Sequence, residues 1–380
     1  MTARLVTLIL YLLVTGAVAQ VPRLCPASCY CETADKISCE RAEFETVPTN
    51  WPTSIRVLII KSCSLLRIQK HAFRRYAKLE ELIIEGCEHL RSLEKYAFRG
   101  LNHLRLLRLA SNGNLTEVAK NAFSLISNTH GLRIQLDNNA FKIIRPGIFR
   151  QSNHLRELSI KGENLHIEAN AFTSLTRIDF FNLIGVAHIE PLAFENVSRV
   201  HRFEIRGSIL SLSEGVLSSM SHVKEIHISD NQIESIETNA FSGLFTIGRL
   251  QLRGNSIQNI SGHAFSSIVN IGEIIIENNF IAHLHTEALL SSAWRTKFRD
   301  NTLRCGCEIV WIQHIKDTLL LKRNFCGPEE YYVSLMNYKP VMCVPQQGGL
   351  SSIAFAAVPD SLFLWAPLLL VTLLFRSWQV

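Results

Sequence analysis

The sequence predicts an α/β repeat solenoid: a curved stack with a parallel β-sheet on its concave side, an irregular or short-helical convex side, and a disulfide-bonded cap at each end. Three observations carry this prediction. An Ala-Phe landmark returns at Phe73, Phe98, Phe123, Phe172, Phe194, Phe241 and Phe265, with Phe149, Leu217 and Leu289 filling the gaps, at steps of 22 to 26 residues. An alternating apolar pattern precedes each landmark. Eight of the ten cysteines stand in two groups of four, one near each end of that array.

The N-terminus sets the compartment. Arg4, the apolar stretch Leu5 to Val14, and the small residues Thr15 to Ala19 ahead of Gln20 form a secretory signal over residues 1–19, so the mature chain is expected to begin at Gln20. In an oxidising compartment paired thiols become disulfides, whereas a Cys29-x-Cys31 spacing in the cytosol would suggest metal. Residues 20–50, with Cys25, Cys29, Cys31 and Cys39, read as an N-terminal cap. Residues 301–345, with Cys305, Cys307, Cys326 and Cys343, read as a C-terminal cap. A hydrophobic content of 47% over 380 residues is ample for a large core, so these bridges protect ends and do not substitute for packing. The net charge of +6 is mild and spread out, which with secretion argues against nucleic acid and leaves sulfated glycans as acidic partners.

The C-terminal segments point to a membrane. Residues 346–360 read as a juxtamembrane spacer and 361–380 as a hydrophobic anchor signal, with the apolar run Ser361 to Phe375 followed by Arg376. Spanning a bilayer takes about 20 apolar residues, and this run reaches that length only by including Ile353 to Val358 across Pro359-Asp360. A lipid-anchor signal fits with Gly349 as the attachment residue, Ser351 two positions on and Ser352 to Asp360 as spacer. The lipid anchor is the preferred reading and a single span the alternative. Under both, signalling would need a partner.

The repeats occupy residues 51–300. Ile55-x-x-Leu58-x-Ile60, Leu79-x-x-Leu82-x-Ile84, Leu104-x-x-Leu107-x-Leu109 and Ile247-x-x-Leu250-x-Leu252 alternate as strands with one buried face. Three residues after the last apolar position comes Cys63, Cys87, Asn112, Asn139, Asn231, Asn255, Asn279 or Asn301. A stacked Asn both donates and accepts, which satisfies backbone groups buried where each coil turns. The same slot holds Glu163, Leu183 and Ser208 in three consecutive repeats, so the ladder is expected to break in the middle.

This pattern is the leucine-rich-repeat consensus, and from residue 25 to 343 the chain resembles the extracellular branch of that family. Cys25-x3-Cys29-x-Cys31-x7-Cys39 resembles its N-terminal cap, and Asn301-Thr302-Leu303-Arg304-Cys305-Gly306-Cys307 with Trp311, Cys326 and Cys343 its C-terminal cap. The resemblance implies pairing of Cys25 with Cys31, Cys29 with Cys39, Cys305 with Cys326 and Cys307 with Cys343, although spacing alone permits three connectivities in each group.

In such an architecture the residues between the strand leucines face the concave side, the default binding surface. Two features stand out there. Val57, Ile59, Ile83 and Leu106 form an apolar patch, and Arg133, Arg177, Arg202, Arg206, Arg249 and Arg253, with Phe181 among them, form an arginine-rich stretch proposed to contact a ligand. Glu157, Glu225 and Glu273 alternate with these arginines along successive strands, so cross-strand neutralisation is also expected. Asn114, Asn196 and Asn259 open N-x-Ser/Thr sequons outside the concave slots and are candidate glycan sites. Cys63 and Cys87, in adjacent ladder slots, are expected to be buried thiols, because parallel side chains bridge poorly. His283-x-His285 lacks further ligands at zinc spacing, so no metal or cofactor is expected.

No nucleophile, metalloprotease or phosphate-loop motif occurs, and the expectation is binding without catalysis. The first reading is a cell-surface protein for adhesion or recognition, including homophilic contact, similar to insect-type adhesive leucine-rich-repeat proteins and the repeat blocks of axon-guidance ligands. A ligand-binding receptor or co-receptor, in the style of Toll or glycoprotein-hormone-receptor ectodomains, is the second. An extracellular inhibitor or matrix protein is the third.

Overall fold

The computed structural model describes residues 25–126, 131–152, 154–173, 175–327 and 332–339. The signal segment, Cys343, Gly349, the spacer and the apolar run from Ser361 lie outside the described residues. The chain coils into a solenoid whose concave side is a 14-stranded sheet. Its strands, in chain order, are β1 Cys29–Thr33, β2 Lys36–Glu40, β3 Val57–Lys61, β4 Glu81–Glu85, β5 Leu106–Ala110, β6 Leu132–Asp137, β7 Leu155–Ile167, β8 Thr176–Ile189, β9 Ser198–Arg206, β10 Ser221–Ser229, β11 Phe245–Arg253, β12 Val269–Glu277 and β13 Arg295–Arg299. A two-residue strand, Ile143–Ile144, pairs beside β7. β1 runs antiparallel to β2, and from β2 onward every neighbour in the order is parallel. The eleven repeat strands expected from the sequence are β3 to β13, and the N-terminal cap adds β2.

The repeat strands bury the leucine positions and turn most of the residues between them outward, with Ser159 in β7 and Ile275 in β12 buried as exceptions. In β3, Leu58 and Ile60 are fully buried while Val57 and Ile59 remain half-exposed. The opposite side of the coil is made of turns and short strands, among them a seven-stranded ladder that begins at Ile209–Leu212 and ends in the C-terminal cap at Val333–Ser334. Helix among the described residues is confined to that cap: a 3-10 segment Cys307–His314 and α1, Thr318–Arg323. Of the irregular or short-helical convex side expected, the irregular form is the one found, built of turns and short strands. A residue in the left-handed region just before each landmark, such as His71 at φ 59° and Asn121 at φ 63°, reverses the chain within one turn.

Two side-chain stacks hold the coils in register. Phe73, Phe98, Phe123, Phe149, Phe172 and Phe194 stack at centroid distances of 5.3 to 5.9 Å, and Phe241 stacks on Phe265 at 5.2 Å. Such pairs add about 0.5–1.5 kcal/mol each beyond area burial. The second stack is the Asn ladder. Asn255 Nδ2 donates to Ile228 O at 2.8 Å and to Asn279 Oδ1 at 3.0 Å, and Asn255 Oδ1 accepts from Asn231 N at 3.0 Å. Each rung satisfies the coil on both sides of it.

The ladder does break in the middle, and with a different register from the one the sequence suggested. Strand pairing puts Ile184 against Arg206, so Val186 and not Leu183 stands opposite Ser208. Ser208 acts as a short rung: its Oγ accepts from Val186 N at 2.9 Å and donates to Arg206 O at 3.2 Å. Glu163 is exposed, and two additional residues bring Leu165 opposite Val186. Where no Asn forms the corner, β7 and β8 run on as 13- and 14-residue strands that hydrogen-bond around it. Phe181 and Phe203 fill the inner positions here, packing against Phe172 at 4.9 Å and Phe194 at 5.1 Å respectively. Aromatic bulk takes the inner positions held elsewhere by leucine or isoleucine, while Val186 fills the corner where a polar rung is missing.

Both caps close the exposed ends of the core. Cys25–Cys31 and Cys29–Cys39 tie β1 over β2, Cys305–Cys326 ties the C-terminal cap to the last ladder strands, and these are the pairings the resemblance implied. The partner expected for Cys307, Cys343, lies outside the described residues. The ladder continues into the cap through Asn324, whose Oδ1 accepts from Asn301 N at 3.0 Å and whose Nδ2 donates to Phe298 O at 2.8 Å. Asp317 starts α1 by accepting from the backbone N–H of Leu319 and Leu320.

Candidate ligand-binding face

Three rows of side chains cross the concave sheet, and the strand register defines them. From β3 to β13 the first row reads Val57, Glu81, Leu106, Arg133, Glu157, Phe180, Arg202, Glu225, Arg249, Glu273, Arg295. The second contains Ile59, Ile83, Arg108, Gln135, Ser159, Asn182, Glu204, His227, Gln251, Ile275 and Lys297 in the same order. The third carries Arg206, Arg253, Glu277 and Arg299 toward its C-terminal end.

The C-terminal half of this face is an ion-pair ladder. Arg202 donates to Glu225 at 2.9 Å, Glu225 contacts His227 at 3.1 Å and Arg249 at 3.8 Å, and Arg249 donates to Glu273 at 3.1 Å. Glu273 also meets Lys297 at 2.6 Å, Arg206 meets Asp230 at 2.9 Å, and Glu277 binds both Arg299 at 2.7 Å and Arg253 at 4.0 Å. Burial raises the Glu225 carboxyl, but the hydrogen bonds and charges of Arg202 and His227 outweigh it and hold the group below its ordinary range. Hydrogen bonding from Lys297 lowers Glu273 against a smaller effect of burial. Asp137, by contrast, is pushed up by burial, offset in part by Arg108 and Lys161. The expected cross-strand neutralisation is therefore present, and it removes most of the free charge from these arginines.

Apolar side chains interrupt the charges at two places. At the N-terminal end Val57, Ile59, Ile83 and Leu106 lie half-exposed and side by side. In the middle Phe180 is 41% exposed, between Glu157 and Arg202, with Ile184 in the third row of the same strand.

The repeat profile of the chain is decisive for its kinship. Residues 66–201 and 173–293 match the family described as BspA type Leucine rich repeat region, in six copies. The chain belongs to this leucine-rich-repeat family. No curated protein matches it. Among solved structures it is similar to a chain of an octameric complex of Latrophilin 3 (Lec, Olf), Unc5D (Ig, Ig2, TSP1) and FLRT2 (LRR), at 21% identity and a TM-score of 0.53, covering 80% of this chain and 95% of that one. It also matches human 5T4, the Wnt-activated inhibitory factor 1 or trophoblast glycoprotein, at 17% identity and a TM-score of 0.43, covering 83% of this chain and 97% of that one. At this identity the first likeness establishes the fold: a leucine-rich-repeat solenoid of the extracellular type, with disulfide caps.

The leucine-rich-repeat register corrects two of the expected contact residues. Phe181 is fully buried, because Ile178-x-x-Phe181-x-Leu183 is the strand motif of β8 and an aromatic stands where a leucine was sought. Its neighbour Phe180 takes the concave position. Arg177 is displaced with it: it is exposed at the start of β8, paired in register with Arg199 and outside the three concave rows. Arg133, Arg202, Arg206, Arg249 and Arg253 do stand in those rows. Phe180 and Asn324 escaped the sequence reading. An Asn two residues before a cap cysteine was the available signal for the second.

Cys63 and Cys87 are buried thiols in this leucine-rich-repeat core. Cys63 Sγ lies 3.2 Å from Lys61 O and Cys87 Sγ 3.8 Å from Glu85 O, each capping the carbonyl two residues before it. Burial pushes the Cys87 thiol up to about 11 and raises that of Cys63 as well. Of the sequon residues, Asn114 and Asn196 are exposed and Asn259 is half-buried, all away from the concave rows. Among the described residues no cluster of three His, Cys, Asp or Glu is placed to hold a metal ion.

Proposed function

We propose that this leucine-rich-repeat protein is a cell-surface recognition or adhesion molecule that binds a protein ligand, or a second copy of itself, on its concave face. The supporting observation is the composition of that face: half-exposed apolar groups at Val57, Ile59, Ile83 and Leu106, and Phe180 and Ile184 at the centre, framed by charges already paired. An interface whose apolar core is bordered by satisfied ion pairs gains from desolvation without stranding a charge. Arg133, Arg202, Arg206, Arg249 and Arg253 are proposed as its polar contacts, Phe180 as its aromatic anchor. The complex that contains the similar chain holds other proteins beside FLRT2, which supports protein binding as the general use of the fold.

The organisation proposed with this function is a cleaved signal over 1–19, caps over 20–50 and 301–345, repeats over 51–300, and attachment to the outer face of the plasma membrane through 361–380, by lipid at Gly349. Glycans at Asn114, Asn196 and Asn259 leave the concave face open. Expressing the full chain on suspended cells tests the reading. Aggregation that Phe180→Glu/Ile184→Glu abolishes supports homophilic adhesion, and one-to-one binding of a soluble factor without aggregation supports the receptor alternative. Aggregation or binding that survives that double change contradicts the concave site. Phospholipase release from intact cells tests the lipid anchor.

A further inference from the structure

Most cations in the C-terminal half of the concave rows are paired, but a second set beside them is not. On the edge where the strands begin, four successive strands, β7 to β10, each present two further side chains ahead of the first concave row. In register they read His154, Arg177, Arg199, His222 and, one row inward, Arg156, Asp179, His201, Lys224. All eight are exposed. Seven are basic or imidazole groups and one is acidic. Among the described residues no ion pair engages Arg156, Arg177, Arg199 or Lys224; Lys224 Nζ lies 3.2 Å from the ring of His201. Arg133 on β6, exposed and without an ion pair among the described residues, stands in the first concave row and adjoins this set.

A second observation bears on the same residues. The outer row is left-handed throughout: His154 at φ 65°, Arg177 at 58°, Arg199 at 57° and His222 at 54°. Elsewhere along this row the residues are Gly131, Thr246 and Asn270, two of the three among the types that accept such a backbone most readily. The repeat imposes this backbone on the whole row, Thr246 included, so it fixes where the cations stand along the sheet edge. The two rows also end sharply. Beyond β10 the inner row becomes Gly248 and Gly272, and toward the N-terminus Arg105 and Arg56 share Glu80.

We propose that these two rows bind a linear sulfated polysaccharide. Strands follow one another at about 4.8 Å, so the rows offer a straight file of positive charge roughly 15–20 Å long. Only an extended polymer with repeated anions matches that form. Arginine forks pair with two oxygens of a tetrahedral sulfate group as they do with phosphate. Neither row carries an apolar side chain, so a protein partner would find no anchor and a membrane no group to insert. The site is separate from the concave rows, and a polysaccharide could concentrate the chain at a cell surface while those rows hold a protein.

The test is retention of the full chain on an immobilised heparin oligosaccharide. Arg156→Gln/Arg177→Asn/Arg199→Asn/Lys224→Gln should lower affinity roughly tenfold or more at physiological salt and flatten its salt dependence, since fewer counterions are released. Asn at positions 177 and 199 keeps the left-handed turn, and Arg156→Gln/Lys224→Gln gives a milder variant should the fourfold one fold poorly. Arg74→Gln/Arg75→Gln/Lys78→Gln, which removes exposed cations from the convex side, should change retention little. Equal retention of the fourfold variant and wild type overturns the site, as does an equal loss in the convex variant. Binding to unsulfated hyaluronan or to phosphatidylserine vesicles as strong as to heparin overturns the assignment to a sulfated chain.

Discussion

Replacing Asn255 by alanine gives the most quantitative check on the ladder. Asn255 is 2% exposed and takes part in four side-chain hydrogen bonds: Nδ2 to Ile228 O and to Asn279 Oδ1, and Oδ1 from both the backbone N–H and the Nδ2 of Asn231. Removing the amide strands two buried backbone groups, the Asn231 N–H and the Ile228 carbonyl. Asn279 Oδ1 keeps its bond from Asn255 N at 2.9 Å, and Asn231 Nδ2 keeps Ile205 O at 3.1 Å, so the damage is confined to those two groups. Each unsatisfied buried group costs about 1–3 kcal/mol, which sums to roughly 4 kcal/mol for Asn255→Ala. Asn255→Ser should cost about half as much, because Ser208 shows that a hydroxyl can serve the N–H of the preceding coil and return its proton to a carbonyl. Urea unfolding followed by circular dichroism measures both. An alanine variant within about 1 kcal/mol of wild type, or a serine variant as costly as alanine, would refute the accounting.

Other consequences follow from the same contacts. Phe181→Ala should cost about 3–5 kcal/mol, because it empties a site walled by Phe172, Phe194 and Phe203. Phe180→Ala should leave the unfolding midpoint nearly unchanged while weakening partner binding, and the opposite ranking in the same two assays would reverse the register assigned to β8. The lowered carboxyls of Glu225 and Glu273 contribute stability that is complete above their ordinary value of 4.5 and lost as pH falls through their folded-state values. The thermal midpoint should thus hold from pH 7 to about 5 and then drop, less steeply in Glu225→Gln/Glu273→Gln; an acid limb unchanged by that pair of substitutions would assign it to other groups. Iodoacetamide at pH 8 should leave Cys63 and Cys87 unmodified in the folded chain and label both after denaturation, as read by mass. Rapid labelling of the native protein would contradict their burial.

Much of the fold could be read from the sequence because a solenoid repeats one local rule. The alternation of Leu58, Leu82, Leu107 and Leu250 with outward residues specifies strands, and Asn112 to Asn301 specify the corners, so the chain restates its register about every 24 residues. Reading failed where that restatement stops. In β8 no Asn marks the corner and no leucine the first inner strand position: Val186 fills the corner, Phe181 that inner position, and a second phenylalanine precedes it. Pattern alone cannot tell which of two adjacent aromatics is buried, whereas packing can, since Phe181 completes a cluster with Phe172, Phe194 and Phe203 while Phe180 meets only the His201 ring at 6.1 Å. The same slip moved Arg177 onto the concave face. Cross-strand neutralisation was legible because Arg and Glu alternate at fixed repeat positions. The unpaired edge cations were not, because the two positions ahead of the first concave row are a variable slot of the consensus and the residue before it, and become a continuous feature only once the strands are stacked.

The central claim is that the concave rows are where this leucine-rich-repeat protein meets its protein partner. Its most direct measurement is the exchange of backbone amides with deuterium in the full chain on two cell surfaces' worth of contact: free, and in the aggregated or ligand-bound state. Protection confined to residues on β3 to β11, and abolished by Phe180→Glu/Ile184→Glu, is the predicted result. Protection on the convex turns or in the caps, with the concave strands unchanged, would contradict it.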